Sequence, residues 1–402
     1  MVGIRGLGGY ILSHGTIDTT GHITVNKKTS AIKQETQTKP RDSGGRAARL
    51  VSLDAFRGFA ILGMLLVNNT VETPATPKHL THAQWNQGVH FADFVAPWFL
   101  YIVGAAIPYA AASAKKRGMS NLQYGLKAAY RAVILVLLGL LVDSSVNHKP
   151  TIGLGVLQLI GLSYLAAAML YQLGLGLRLT IAAELLVGYW ILIRFVPIPG
   201  VGPGSLTEAH NLIQHVNDTY LAPLYLRGLL SVIPTTALVL IGSATGDLLR
   251  LENLDQWRKV IYLLLGGVAL TLLGILWNID LPFNKPLWTS SYILYTAGLG
   301  AMALSASYFL LDIKGWRAWA FPLVVYGSNA IFAYVAPILF KVYVLQAFRW
   351  PGPKVNLQDA YINALSEWFG IIWGSWLYTI SYMLFWWLVV LWLYRRKMFL
   401  RV

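Results

Sequence analysis

Residues 82–107 read HAQWNQGVHFADFVAPWFLYIVGAAI: about a dozen largely polar positions, then, from Pro97 onward, an almost unbroken apolar run. As a helix rising about 1.5 Å per residue, that run and its continuation are long enough to cross a hydrocarbon core of about 30 Å. Membrane boundaries are ordinarily dressed with Trp, Tyr, Lys or Arg. This one holds His82, His90 and Asp93, groups that bind ligands or move protons. The stretch therefore reads as a transmembrane helix with chemistry at its mouth.

The same apolar signature recurs along the chain. Spans are expected at 53–71, 91–112, 128–146, 152–172, 179–196, 226–248, 260–277, 289–311, 321–346 and 368–394. The 402 residues are 56% hydrophobic and 12% charged, against roughly 45–50% and about 25% in soluble domains, and the mean hydropathy is +0.54. The fold class is all-α: a polytopic transmembrane helical bundle of about ten spans. Backbone groups in lipid must be satisfied within the segment, and these runs are too long and too uniformly apolar for barrel strands.

With no cysteine in the chain, disulfides, thiolate nucleophiles and thiolate-bound zinc are excluded. The formal charge of +15 sits largely in the first fifty residues and in short loops between apolar runs, the orientation signal of membrane proteins. No basic-aromatic platform interrupts the runs, so no nucleic acid is expected as a partner. Lys115, Lys116, Arg117, Arg178, Arg250, Arg258, Lys259, Lys314 and Arg317 fall on one side. The sparser Lys149, Lys285, Arg349 and Lys354 fall on the other. Both termini then face the cytoplasm, and His82 and the loop 197–225 face outward. Residues 1–50, rich in Gly, Thr, Lys and Gln, read as a flexible basic cytoplasmic tail, ahead of a transmembrane domain over 51–402.

Several polar residues stand out from the apolar background. His82 is either a loop histidine at headgroup level or a general base, for which an unperturbed pKa near 6.5 suits imidazole. His79, His82, His90 and Asp93 lack metal-motif spacing, so no metal is expected. Asp93 lies a turn into its span, where an acid complements the helix dipole. Pro97 displaces the carbonyl four residues back, that of Asp93, so this region must face protein or water rather than lipid. Asn68 and Asn69 end the first span as a cap or as amide donors to an oxyanion. Asp54 and Arg57 share one helix face as an ion pair or as a contact for an anionic cofactor. Gln158 and Asn329 are polar groups within apolar runs, suited to interhelical hydrogen bonds or to substrate.

RLVSLDAFRGFAILGMLLVNN (49–69) followed by the 82–107 stretch resembles the heparan-α-glucosaminide N-acetyltransferase family. The match runs through Ser52, Asp54, Phe56, Arg57 and Gly58, then Val67-Asn68, then His82, Ala83, Trp85 and Asn86, then residues 92–99. Similar blocks follow at 155–164 and 227–249, in NKPLWTSSYILYTAGLG and in VVYGSNAIFAYV, so the resemblance covers roughly 50–345. In this chain Gln87 stands between Asn86 and Gly88, where the family usually runs Trp-Asn-Gly, and nothing in the residues specifies heparan sulfate.

The resemblance implies an integral-membrane acetyltransferase in a bacterial cytoplasmic (inner) membrane. Acetyl would pass from cytoplasmic acetyl-CoA, as co-substrate, to an amino sugar or other glycan acceptor outside. It makes His82 catalytic with Asn68 as its partner. Asp93, Trp85, Asn86, Gln158 and Asn329 are the expected substrate-binding set, and Arg57 the contact to coenzyme A. Membrane lipid and a homodimeric partner complete the expectations. The rival reading is a transporter of a small polar solute, although no inverted repeat or matched pair of broken helices is visible.

Overall fold

In the computed structural model, which describes residues 50–349 and 355–400, each apolar stretch becomes helical. The proposed tail lies outside the described residues except for Leu50. The helices are α1 (Val51–Asn69), α2 (Phe91–Lys116), α3 (Asn121–Val146), α4 (Val156–Leu170), α5 (Leu175–Phe195), the short α6 (Leu212–Val216), α7 (Val232–Arg250), α8 (Gln256–Trp277), α9 (Ser290–Tyr308), α10 (Phe321–Ser328), α11 (Ala330–Phe340) and α12 (Leu357–Arg395). Wider turns prolong α9 to Ile313 and α11 to Gln346. The only strand pairing of more than one residue among the described residues joins β1 (Pro197–Ile198) to β2 (Gly202–Pro203). The protein is an all-α polytopic bundle and an integral membrane protein.

Three of the ten expected spans differ in form. Among the described residues, eight helices are long and apolar enough to cross a membrane, or nine if one bent pair counts as a span. The stretch expected at 152–172 yields only the 15 residues of α4, about 22 Å of helix. Gly153 and Gly155 precede it, and Leu154 N–H donates to the carbonyl of Arg227 rather than to a helical partner. The stretch at 321–346 breaks at Asn329, where α10 and α11 meet at 80°. In α12, Gly370 adopts φ 78°, a left-handed value that glycine tolerates without strain. The 357–369 arm folds back there, and Tyr361 Oη donates to Ser381 Oγ at 3.1 Å.

Helices α1, α2, α7 and α9 form the interior, and α3, α5, α8 and α12 the lipid-facing rim. The most apolar window of α7 is 72% buried, that of α8 only 17%. Leu264, Leu265, Leu272 and Leu276 of α8 are accordingly exposed, which suits lipid. With no hydrophobic gain available between helices in lipid, close backbone approach through small residues drives their packing. A Cβ on Gly104 would stand 2.1 Å from the carbonyl oxygen of Val239, and one on Gly242 2.2 Å from that of Tyr101. These glycines let α2 and α7 touch. The first amides of α1 would otherwise lack acceptors. Asp312, at the end of the α9 extension, takes both Val51 N–H and Ser52 N–H at 3.0 Å.

Candidate active site at the start of the second helix

The site is built where the loop 70–90 turns into α2. Asp93 occupies the third helical position, and its Oδ2 accepts the N–H of the capping residue His90 at 2.9 Å. That bond satisfies an orphan amide of the helix start and fixes the carboxylate rotamer. The same oxygen accepts Ala83 N–H at 3.1 Å, which pulls residues 82–83 back against the helix. His82 Nδ1 then lies 2.8 Å from Asp93 Oδ1. A carboxylate is the stronger acceptor here, so the ring is assigned with its proton on Nδ1, which leaves Nε2 as the unprotonated nitrogen. The Asp93 side chain is 2% exposed and that of His82 54%. One partner is locked in protein while the other presents itself.

The carbonyl that Pro97 releases is accounted for. Tyr292 Oη, from α9, donates to the main-chain oxygen of Asp93. The kink thus ties α2 to α9 directly beneath the carboxylate. The loop between α8 and α9 adds Lys285, whose Nζ stands 3.5 Å from Asp93 Oδ1, 3.0 Å from His82 Nδ1 and 3.4 Å from Nε2. Burial pushes this ammonium below the ordinary lysine range, and the Asp93 charge works against that shift.

The remaining expected site residues are distributed elsewhere. Trp85 Nε1 and Asn86 Nδ2 both donate to the carbonyl of Leu206, at 2.8 and 2.9 Å, and Asn284 Nδ2 donates to Asn86 Oδ1 at 2.9 Å. These two motif residues clasp the loops 197–225 and 278–289 together. Asn68 ends α1 with an exposed side chain, and its carbonyl accepts Lys341 Nζ at 3.1 Å. No hydrogen bond joins it to His82. Gln158 is fully buried between α4 and α3, where its Nε2 donates to Asp143 Oδ2 at 2.7 Å.

Arg57 and Asn329 sit at the opposite end of α1. Arg57 Nη1 meets Asp54 Oδ1 at 3.1 Å and the Gly327 carbonyl at 3.5 Å. Asn329 is fully buried. It clamps the C-terminal strip from both sides of its amide, donating to the Met398 carbonyl and accepting Leu400 N–H. The structure therefore does not bring Asn329, Arg57 or Gln158 to the His82 cluster.

A narrow apolar crevice of about 10 Å³ lies between α1, α2, α4 and α11, with Ile61, Met64, Phe99, Leu157 and Tyr334 in its wall. On α1, Arg57, Ile61, Met64 and Asn68 fall at intervals of four, three and four residues, which places them on one helical face. That face leads from the guanidinium at one end of α1, past the crevice wall, to the amide at the other, about 16 Å away. Among the described residues no group of three or more His, Asp or Glu side chains could hold a metal ion.

Sequence reasoning found His82 and Asp93 but not their third neighbour. Lys285 counted there only as one of the few cations on the sparse side of the membrane. That rarity was the one available signal. Tyr292 gave none, being one of 21 tyrosines.

The match to known proteins covers this region. A family profile described as "Heparan-alpha-glucosaminide N-acetyltransferase, catalytic" matches residues 49–275. The heparan-alpha-glucosaminide N-acetyltransferase of Homo sapiens is 25% identical over 422 positions, covering 88% of this chain and 60% of that one. The Mus musculus protein of the same name is 26% identical over 383 positions, covering 78% and 56%. The chain thus spans somewhat more than half the length of these relatives.

Proposed function

Since the chain belongs to the heparan-alpha-glucosaminide N-acetyltransferase catalytic family, we propose that it is a transmembrane acetyltransferase. It moves acetyl from cytoplasmic acetyl-CoA to an amine or hydroxyl of an amino sugar or other glycan on the far side. The observation that carries this reading is the His82–Asp93 dyad at the mouth of α2, in which Nδ1 faces the carboxylate and the His82 side chain is half-exposed.

In this reading the acceptor nitrogen or oxygen attacks the thioester carbonyl carbon while its proton passes to His82 Nε2. Such general-base assistance contributes typically 10² to 10⁴ in rate. Asp93 holds the imidazole in the required tautomer and steadies the imidazolium that forms. The Asn68 amide, exposed at the end of α1, donates to the tetrahedral oxyanion, a contribution of about 10² to 10³. The C–S bond then breaks, and the departing thiolate takes the proton back from His82. The α1 face from Arg57 to Asn68 supports a path for the thioester arm, with phosphates outside it near Arg57 and the apolar wall around the arm. Trp85 and Asn86 act at one remove, by holding the outer loops over the site. A transporter would be expected to place a helix break at its solute site. Here the break at Asn329 is filled by the chain's own C-terminal strip.

The test is purified protein given acetyl-labelled acetyl-CoA and a panel of amino sugars, wild type beside His82→Ala. The expected result is label on an acceptor with wild type and a loss of at least about 10²-fold in the variant at unchanged monodisperse yield. Near-normal turnover in His82→Ala, or no transfer to any acceptor by wild type, would overturn the reading.

A further inference from the structure

We infer that Lys285 is a positioning residue for the His82 base: its ammonium occupies the space an extra proton on the imidazole would make repulsive, and so keeps His82 neutral. The inference rests on the reading of His82 as a proton acceptor, but its consequence is a property of the ring itself.

The argument begins from what surrounds the imidazole. From α2 comes Asp93, 2.8 Å from Nδ1. Alone, a buried carboxylate so close would draw a second proton onto the ring and convert a base into a spent ion pair. From the α8–α9 loop comes Lys285, within 3.0 Å of Nδ1 and 3.4 Å of Nε2, which also meets the same carboxylate oxygen. The one negative charge is therefore already matched. A second positive charge on the ring would lie at contact distance from the first, and among the described residues both pair with the one carboxylate, that of Asp93.

The other titratable groups nearby do not change this balance. His79 and His90 face each other edge-on at 5.8 Å, and His90 Nδ1 is engaged with the Thr81 carbonyl. Tyr292, from α9, is spent on the Asp93 carbonyl. Asp280, on the loop that carries Lys285, is turned to Arg194 and Trp190. Glu72 and Lys78, in the loop after α1, are exposed. The Asp93–Lys285 pair thus orients the ring through Asp93 without fixing a proton on it. This resolves a conflict inherent in the dyad, since a carboxylate close enough to hold an imidazole is close enough to favour its charged form.

The experiment titrates His82 directly. Diethyl pyrocarbonate modifies neutral imidazole, and the half-exposed ring of His82 is within its reach. Modification of His82 in the full chain in detergent, mapped by mass spectrometry across pH, gives the midpoint at which the ring loses its proton. Lys285→Met, which keeps the length and removes the charge, is expected to move that midpoint upward by about one pH unit or more. Lys285→Arg, which keeps the cation, is expected to leave it near the wild-type value. An unchanged or lowered midpoint in Lys285→Met overturns the inference, as does an arginine variant that shifts as far as methionine. A structural role alone would alter the rate of modification at every pH without moving the midpoint. No acceptor or acetyl donor enters the measurement, so its failure is distinct from a failure of the transfer assay.

Discussion

At the scale of single residues, the site depends on one carboxylate serving two ends. Asp93 Oδ2 anchors backbone, taking His90 N–H and Ala83 N–H, while Oδ1 faces the His82 ring and the Lys285 ammonium. Asn68 has no such double duty, because its side chain is exposed and only its carbonyl is engaged. The two residues should therefore fail differently on substitution. Asp93→Asn removes the charge that orients His82 and weakens bonds to a charged acceptor, so turnover should fall by roughly 10²-fold or more and stability by about 1–3 kcal/mol. Asn68→Ala should cost about 10² to 10³ in kcat with an unchanged melting temperature. Parallel turnover and thermal-melt measurements check the pair. A destabilised Asn68→Ala with normal kcat would assign that residue to the fold.

Among the elements, α1 is the member everything else references. Its start is capped by Asp312, its middle forms the crevice wall, and its end presents Asn68. Near its start α10 crosses at backbone contact: a Cβ on Gly58 would lie 1.8 Å from the Leu323 carbonyl oxygen, and one on Gly327 1.9 Å from that of Asp54. Gly58→Ala should therefore force α10 off α1 and cost about 1–3 kcal/mol or more through overpacking. Gly188→Ala on α5 meets nothing within 4 Å and should be neutral or slightly stabilising, by up to about 1 kcal/mol. Melting temperatures of the two variants in one detergent decide it. Equal effects would mean that the α1–α10 crossing is loose.

For the whole molecule, the question is how many times the chain crosses between its two sets of loops. Between Arg117 and Glu208 lie α3, α4 and α5, of which α4 is short. Three crossings place these residues on opposite sides. The chain contains no cysteine, so single cysteines report without background. Glu208→Cys should react with a membrane-impermeant maleimide on intact cells, and Arg117→Cys and Glu252→Cys only after permeabilisation. If Glu208→Cys and Arg117→Cys label from the same side, α4 does not cross, and the dyad's assignment to the outer face must be revised.

What could be read without coordinates was local in the chain. Hydropathy accumulates over contiguous residues, so the helices, the polar mouth of α2 and the carbonyl released by Pro97 were all visible in windows of a few turns. His82 and Asp93 are eleven positions apart, close enough for a loop to fold back. The breaks were less legible: Asn329 interrupts an apolar run with no proline beside it, and the partner that holds its amide is about seventy residues away. Lys285 meets His82 across 203 residues, and Trp85 meets Leu206 across 121. No periodicity encodes such pairs, because a side chain's distant neighbours are set by which helices can approach closely, and that is decided by the joint packing of glycines such as Gly58, Gly104, Gly242 and Gly327. The sequence by itself determined a membrane bundle with a histidine and an acid at one mouth. The tertiary structure alone decided which cation stands beside them, and which motif residues tie distant loops together.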